Sequence, residues 1–193
     1  PFFSHPDPSV KKRTGFLMPT IQTDNQLGET FSIPFFVNLE SNQDFTFTPN
    51  IQTESNNFYN LNYRHLNKKG NFNIDTSIDD NGDGGGSSSH FFYTGDINNP
   101  YGSLNTFFQA SNNDTYMRKN KINNLTILKS GLNFTRSDDN TYFSLESLSY
   151  QHLTRNESQQ WEYLVPKITY NIGNIDNNFF DGDLSLNSQI SIN

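Results

Sequence analysis

The side chains able to do chemistry are scattered along this 193-residue chain, and none falls at catalytic spacing. Four histidines (His5, His65, His90 and His152) show no H-E-x-x-H or related metal-ligand pattern. No serine stands in a G-x-S-x-G nucleophile turn, and the carboxylate pair Asp138–Asp139 lies in turn-like sequence. With no cysteine, the chain has neither an internal disulfide framework nor a thiolate metal site. Asp79-Asp80-Asn81-Gly82-Asp83-Gly84 matches the opening of a calcium loop, in which carboxylate and amide oxygens surround a hard cation. His90 takes the place of the bidentate glutamate, however, and Gly85–Ser89 reads as a flexible linker, so a solvated surface loop is expected. The residue types predict no enzyme: no catalytic group, no metal and no cofactor.

Two features remain. Lys11, Lys12 and Arg13 form a compact basic run that suits either the phosphates of a passing lipid or head group, or a solvated linker. The second feature is proline inside β-type sequence: Pro19 closing GFLMP, Pro34 in IPFFVNL and Pro49 closing DFTFTP. Proline has no amide hydrogen and is normally kept out of sheet interiors. Pro19 and Pro34 therefore predict neighbouring strands that pair weakly, with placement at a strand edge or bulge as the alternative for both. Pro49, one strand further on, is expected at an edge or bulge.

The elements that would carry these residues are strands. Hydrophobic residues make up 32% and aromatic residues 15% of the chain, and its sole alanine is Ala110. Helices favour alanine, leucine, glutamate and lysine, whereas strands favour aromatic and β-branched residues. A mean hydropathy of -0.74 accompanies that aromatic content. A membrane barrel reconciles the two, because each strand alternates a lipid-facing residue with a polar lumenal one. The net charge of -7 gives no nucleic-acid footprint. No run of 18 apolar residues exists to form a membrane helix.

Turn signals divide the chain into eleven predicted strands. They fall at 15–23, 28–39, 44–53, 57–67, 70–79, 90–98, 101–111, 125–136, 141–152, 160–171 and 181–192. Phe45, Phe47, Pro49 and Ile51 share one face, opposite Asp44, Thr46, Thr48 and Asn50. Tight links such as Glu40–Gln43 and Asn67–Gly70 alternate with longer ones such as Asp79–Ser89 and Asn112–Asn124. Short inner turns and long outer loops are the habit of an antiparallel outer-membrane meander.

The opening residues carry a family resemblance. HPDPSVKKRTGFLMP (5–19) resembles the segment that leads into the first barrel strand of the LptD family of lipopolysaccharide-assembly proteins. IPFFVNLESNQDFTFTP (33–49) is similar to that family's second and third strands, and YRHL, NDTYMRK and LVPKITY follow in the expected order. The resemblance implies an integral outer-membrane protein of Gram-negative bacteria that releases lipopolysaccharide sideways into the outer leaflet, among outer-membrane lipids. It places a lateral gate at a seam between the first and last barrel strands, where prolines at the positions matching Pro19 and Pro34 weaken the pairing. An LptE-like plug lipoprotein and a periplasmic LptA-like bridge are the partners it implies. Residues 1–14 would then be a linker from a periplasmic domain, and 15–193 the first part of a larger barrel, with the N-terminal end on the periplasmic side. A generic outer-membrane porin or substrate channel, or a soluble all-β binding module, are the alternatives.

Overall fold

A computed structural model describes residues 12–25, 27–80, 86–154, 160–175 and 184–191. Among these the chain is one antiparallel sheet with a single helical turn. The strands are β1 (Gly15–Phe16), β2 (Thr20–Asp24), β3 (Gly28–Ser32), β4 (Phe35–Glu40) and β5 (Gln43–Gln52). They continue as β6 (Phe58–Asn67), β7 (Gly70–Asp79), β8 (Ser89–Asn99) and β9 (Gly102–Ser111). After α1 (Tyr116–Lys119) come β10 (Ile127–Ser137), β11 (Thr141–His152), β12 (Trp161–Ile175) and β13 (Leu184–Ser191).

From β4 onward each strand pairs with its sequence neighbour, which makes a meander. Every predicted range finds its strand, but the first two are each cut in two at a proline. β1 and β2 form one interrupted line, with β1 on β4 and β2 on β3. β3 and β4 form the next line, and both lie along β5. Two-residue turns at 41–42, 68–69 and 100–101 close one end of the sheet. The links at 53–57, 112–126 and 153–160 gather at the other.

Alternation sorts the residues by face. Thr46, Thr48, Asn50 and Gln52 of β5 line a groove together with Asn60 and Asn62 of β6. Their neighbours point the other way, and Phe47, Leu61, Thr76 and Phe91 stand side by side across four strands. Phe47, Ile51, Leu61, Ile78, Phe91 and Phe108 are all exposed on that apolar face. No helix among the described residues is long and apolar enough to cross a membrane.

The buried core is correspondingly small and lies away from the apolar face. Tyr116 and Met117 of α1 pack on Leu128 and Leu153, with Phe92 and Ile122 against them. This cluster fixes the link 112–126, since a helical turn of four residues has no stability of its own. Leu128 is fully buried, so Leu128→Ala should lower stability by about 2–5 kcal/mol. Thermal unfolding in detergent would check this, with faster amide exchange across 112–126 as its local signature.

Candidate functional site

The site is built from a missing atom. In an antiparallel pair, hydrogen-bonded partners exchange two bonds, each amide donating to the carbonyl opposite. The Leu17 amide donates to the Pro34 carbonyl at 2.8 Å. The return bond would need an amide hydrogen at position 34, which proline lacks. One strand further in, the Ile33 amide donates to the Pro49 carbonyl at 3.1 Å. That return bond is again forbidden, because position 49 is also proline.

Register places these losses at one level. Ser32 faces Asn50 and Phe35 faces Phe47, an unchanged register that sets Ile33 opposite Pro49 and Pro34 opposite Thr48. On the first strand, Phe16 faces Phe35 and Thr20 faces Ser32. Leu17, Met18 and Pro19 therefore oppose only Ile33 and Pro34, a one-residue bulge. Pro19 sits exposed within that bulge. The expectation for Pro49 needs correction: it lies inside β5, paired with Tyr59, and its missing donor faces the same interruption. Each lost bond removes about 1 kcal/mol of pairing.

Side chains take over part of the work of the ladder. Ser32 Oγ donates to Asn50 Oδ1 at 2.6 Å. The buried Asn50 amide donates in turn to the Thr48 and Phe58 carbonyls and to Asn60 Oδ1. This stitches three strand lines together beside the gap. On the outward side the gap is flanked by rings, with Phe16 edge-on to Phe35 at 4.9 Å and Phe47 stacked on Tyr59 at 6.2 Å.

Pro34 also lines the groove, a space of about 430 Å³ walled by Thr20, Gln22, Ser32, Thr48 and Asn50. Hydroxyls and amides dominate this wall, and Gln52 Oε1 is buried there without a partner. The seam is thus a stretch of groove wall that is short of hydrogen bonds. It has polar side chains on one side and exposed Ile33, Phe47 and Met18 around it.

The basic run divides. Lys11 lies outside the described residues, and Arg13 is exposed. Lys12 Nζ instead meets Asp44 Oδ2 at 2.7 Å, and Arg64 Nε reaches the other oxygen of the same buried carboxylate at 2.8 Å. Sequence reasoning had set Asp44 on the polar face without giving it a role. Its signal was a lone carboxylate at the head of a Thr/Asn-lined row.

His90, which stands where a calcium loop would carry its glutamate, is buried on the groove side. Its Nδ1 lies 2.7 Å from Ser77 Oγ, which is 2.7 Å from the Tyr116 hydroxyl. Burial, with Asp79 nearby adding to it, pushes the Tyr116 phenol up to about 12, so it stays protonated and holds α1 to the sheet. Of the calcium-like segment, 81–85 lies outside the described residues. Asp79 accepts the Ser88 amide at 2.6 Å, a loop-closing bond.

No known protein-family model matches the chain. Curated relatives do. The chain is similar to the LPS-assembly protein LptD. The Shewanella oneidensis protein of that name is 38% identical over 58 residues, covering 30% of this chain and 8% of the relative. The Shewanella sp. (strain ANA-3) protein is 28% identical over 148 residues, 74% of this chain and 18% of its own. The Shewanella frigidimarina protein is 23% identical over 195 residues, 95% of this chain and 25% of its own. The chain thus spans at most about a quarter of the length of these relatives.

Replacing Pro34 with alanine would supply the absent donor at the Leu17 partner position. Pro34→Ala should stabilise this pairing by about 1 kcal/mol and slow exchange of the Leu17 amide about fivefold. Hydrogen-exchange mass spectrometry over peptides containing 15–20 would check this.

Proposed function

We propose that this chain is the first part of an outer-membrane β-barrel that assembles lipopolysaccharide into the outer leaflet, with no bond-making chemistry of its own. In this reading the lipid leaves sideways through the seam at Pro19 and Pro34. One observation carries it: across the Leu17/Pro34 and Ile33/Pro49 pairs, only one of the two ladder bonds can form. A complete ladder resists parting, because each of its bonds must be given up inside a membrane where water cannot replace it. A wall already lacking those bonds parts at lower cost.

The two faces suit the same cargo. Apolar and aromatic side chains outside the gap match acyl chains, while the hydroxyls and amides of the groove match a saccharide. Within this proposal the sheet closes with strands beyond those described, around a plug lipoprotein, and the N-terminal end meets a periplasmic bridge. Contact with lipid phosphates by Lys11, Lys12 or Arg13 belongs to it as well. Lys12 and Arg13 are both exposed, but Lys12 is engaged by Asp44. A generic porin needs no weak seam, so the paired prolines favour the exit reading.

The double variant Pro19→Ala, Pro34→Ala should lower lipopolysaccharide export about fivefold, by giving the closed state back the bond missing at Pro34, worth about 1 kcal/mol. Export would be read as surface lipopolysaccharide in cells carrying the full-length protein. Photoreactive residues at Met18 and Ile33 should capture lipopolysaccharide. Unchanged export, together with no capture, would remove the seam from the pathway.

A further inference from the structure

The first strand is weakly paired in its middle but tethered at both ends. Among the described residues β1 and β2 pair only with β4 and β3, so this line is an edge. Ladder pairs alone would let it peel from either end.

At the tight-turn end, three residues before β1 begins, Lys12 reaches past the second strand line to Asp44 on the third. Asp44 is simultaneously held by Arg64 on the fourth. Its side chain is only 4% exposed, so the carboxylate is committed to these two cations. Next to it, the Asn38 amide donates to Thr14 Oγ1 at 3.0 Å. At the opposite end Asp24, the last residue of β2, meets Lys121 Nζ at 2.7 Å. Asp24 also accepts the Leu27 amide at 3.2 Å, which fixes its side chain toward the link into β3.

Lys121 does not come from a neighbouring strand. It follows α1 in the link between β9 and β10, at a φ of 56°, a left-handed conformation unusual for a residue with a side chain. Beside it, Gln52 Nε2 donates to Asn120 Oδ1 at 3.3 Å. The base of that link is anchored by the Tyr116–Met117–Leu128–Leu153 cluster and the Ser77–Tyr116 bond. The upper tether therefore ties the edge strand to the buried part of the molecule, across the groove.

We propose that Lys12–Asp44–Arg64 and Asp24–Lys121 are positioning residues for the seam: they pin the two ends of the first strand, so that it opens by bowing outward at Leu17–Pro19 rather than by peeling. This rests on the reading of the seam as an exit. It gives the interruption a mechanical role, since a strand fixed at both ends can move only where its ladder is broken.

Hydrogen exchange on the full-length protein in detergent, without lipopolysaccharide, separates the two ends. Asp24→Lys or Lys121→Asp should speed exchange across 20–24 by roughly 3- to 10-fold, as a partly exposed pair turns repulsive, and leave 15–17 unchanged. The exchanged pair, Asp24→Lys with Lys121→Asp, should restore the parent rates. Lys12→Gln should do the reverse, loosening 15–17 and sparing 20–24. Parent rates in the single variants, an equal rise along all of 15–24, or no rescue in the exchanged pair would overturn the tethers. The export reading has its own test in the double proline variant, so either idea can fail while the other stands.

Discussion

Every backbone donor in this sheet needs a carbonyl on the next strand, and the rest of the structure depends on where that requirement fails. In the proposed barrel, lipid on the outer face would leave the strands no other source of partners. β6 and β7 meet it without a break from Phe58–Asp79 to Asn67–Gly70, and β10 and β11 do so from Ile127–His152 to Ser137–Tyr142. Around Pro34 the requirement cannot be met by any rearrangement of side chains, because the donors are absent from the covalent structure. The failure stays local for a stated reason. The Ser32–Asn50–Asn60 bonds keep the strands in register just beyond it, so one level of the sheet is weak and the levels above and below are intact.

Much of the fold was legible in the sequence, because period-two alternation and short turns are local signals. The eleven strand ranges and the two faces of β5 follow from them. The cuts in the first two strands were visible only as a suspicion about proline. Whether a proline splits a strand depends on which carbonyl its missing hydrogen would have served, and that is a matter of register between strands. Pro49 shows the point: alone in DFTFTP it reads as an edge residue, yet pairing with Tyr59 sets it inside the sheet, facing Ile33. The link 112–126 was legible as long, but not as folded back. Its turn carries Tyr116 and Met117 at adjacent positions, too short a pattern to show a helical face, and their burial is a tertiary fact. Lys12 and Asp44 are far apart in sequence, and only the fold reveals them as partners.

The low mean hydropathy has a structural origin. Across β2 to β6 one face lines a groove rich in serine, threonine, asparagine and glutamine, and the other turns residues such as Phe47, Ile51 and Leu61 outward. Averaging along the chain cancels the two. A soluble sandwich of the same composition would bury its aromatic residues between layers. Among the described residues the buried apolar side chains are few, and Phe47, Ile51, Leu61, Ile78, Phe91 and Phe108 are exposed on one face. That distribution is consistent with the lipid-facing side of an outer-membrane β-barrel.

The chemistry of the groove bears on the proposed transport in the same way. Its wall is made mostly of neutral donors and acceptors, and Asp24, one of its few charges, is paired with Lys121. A wall of free charges would hold an ionic cargo tightly, and an apolar wall would exclude a polar one. Hydroxyls and amides make many weak bonds that exchange readily with water or with sugar hydroxyls, which suits passage better than retention. Of the charged residues on this face, Asp75 lies 3.3 Å from the buried His90, while Lys12–Asp44–Arg64 and Asp24–Lys121 stand at the two ends of the first strand. There, strong directional attraction fixes the framework, and the middle of the seam is left with neutral side chains and an incomplete ladder.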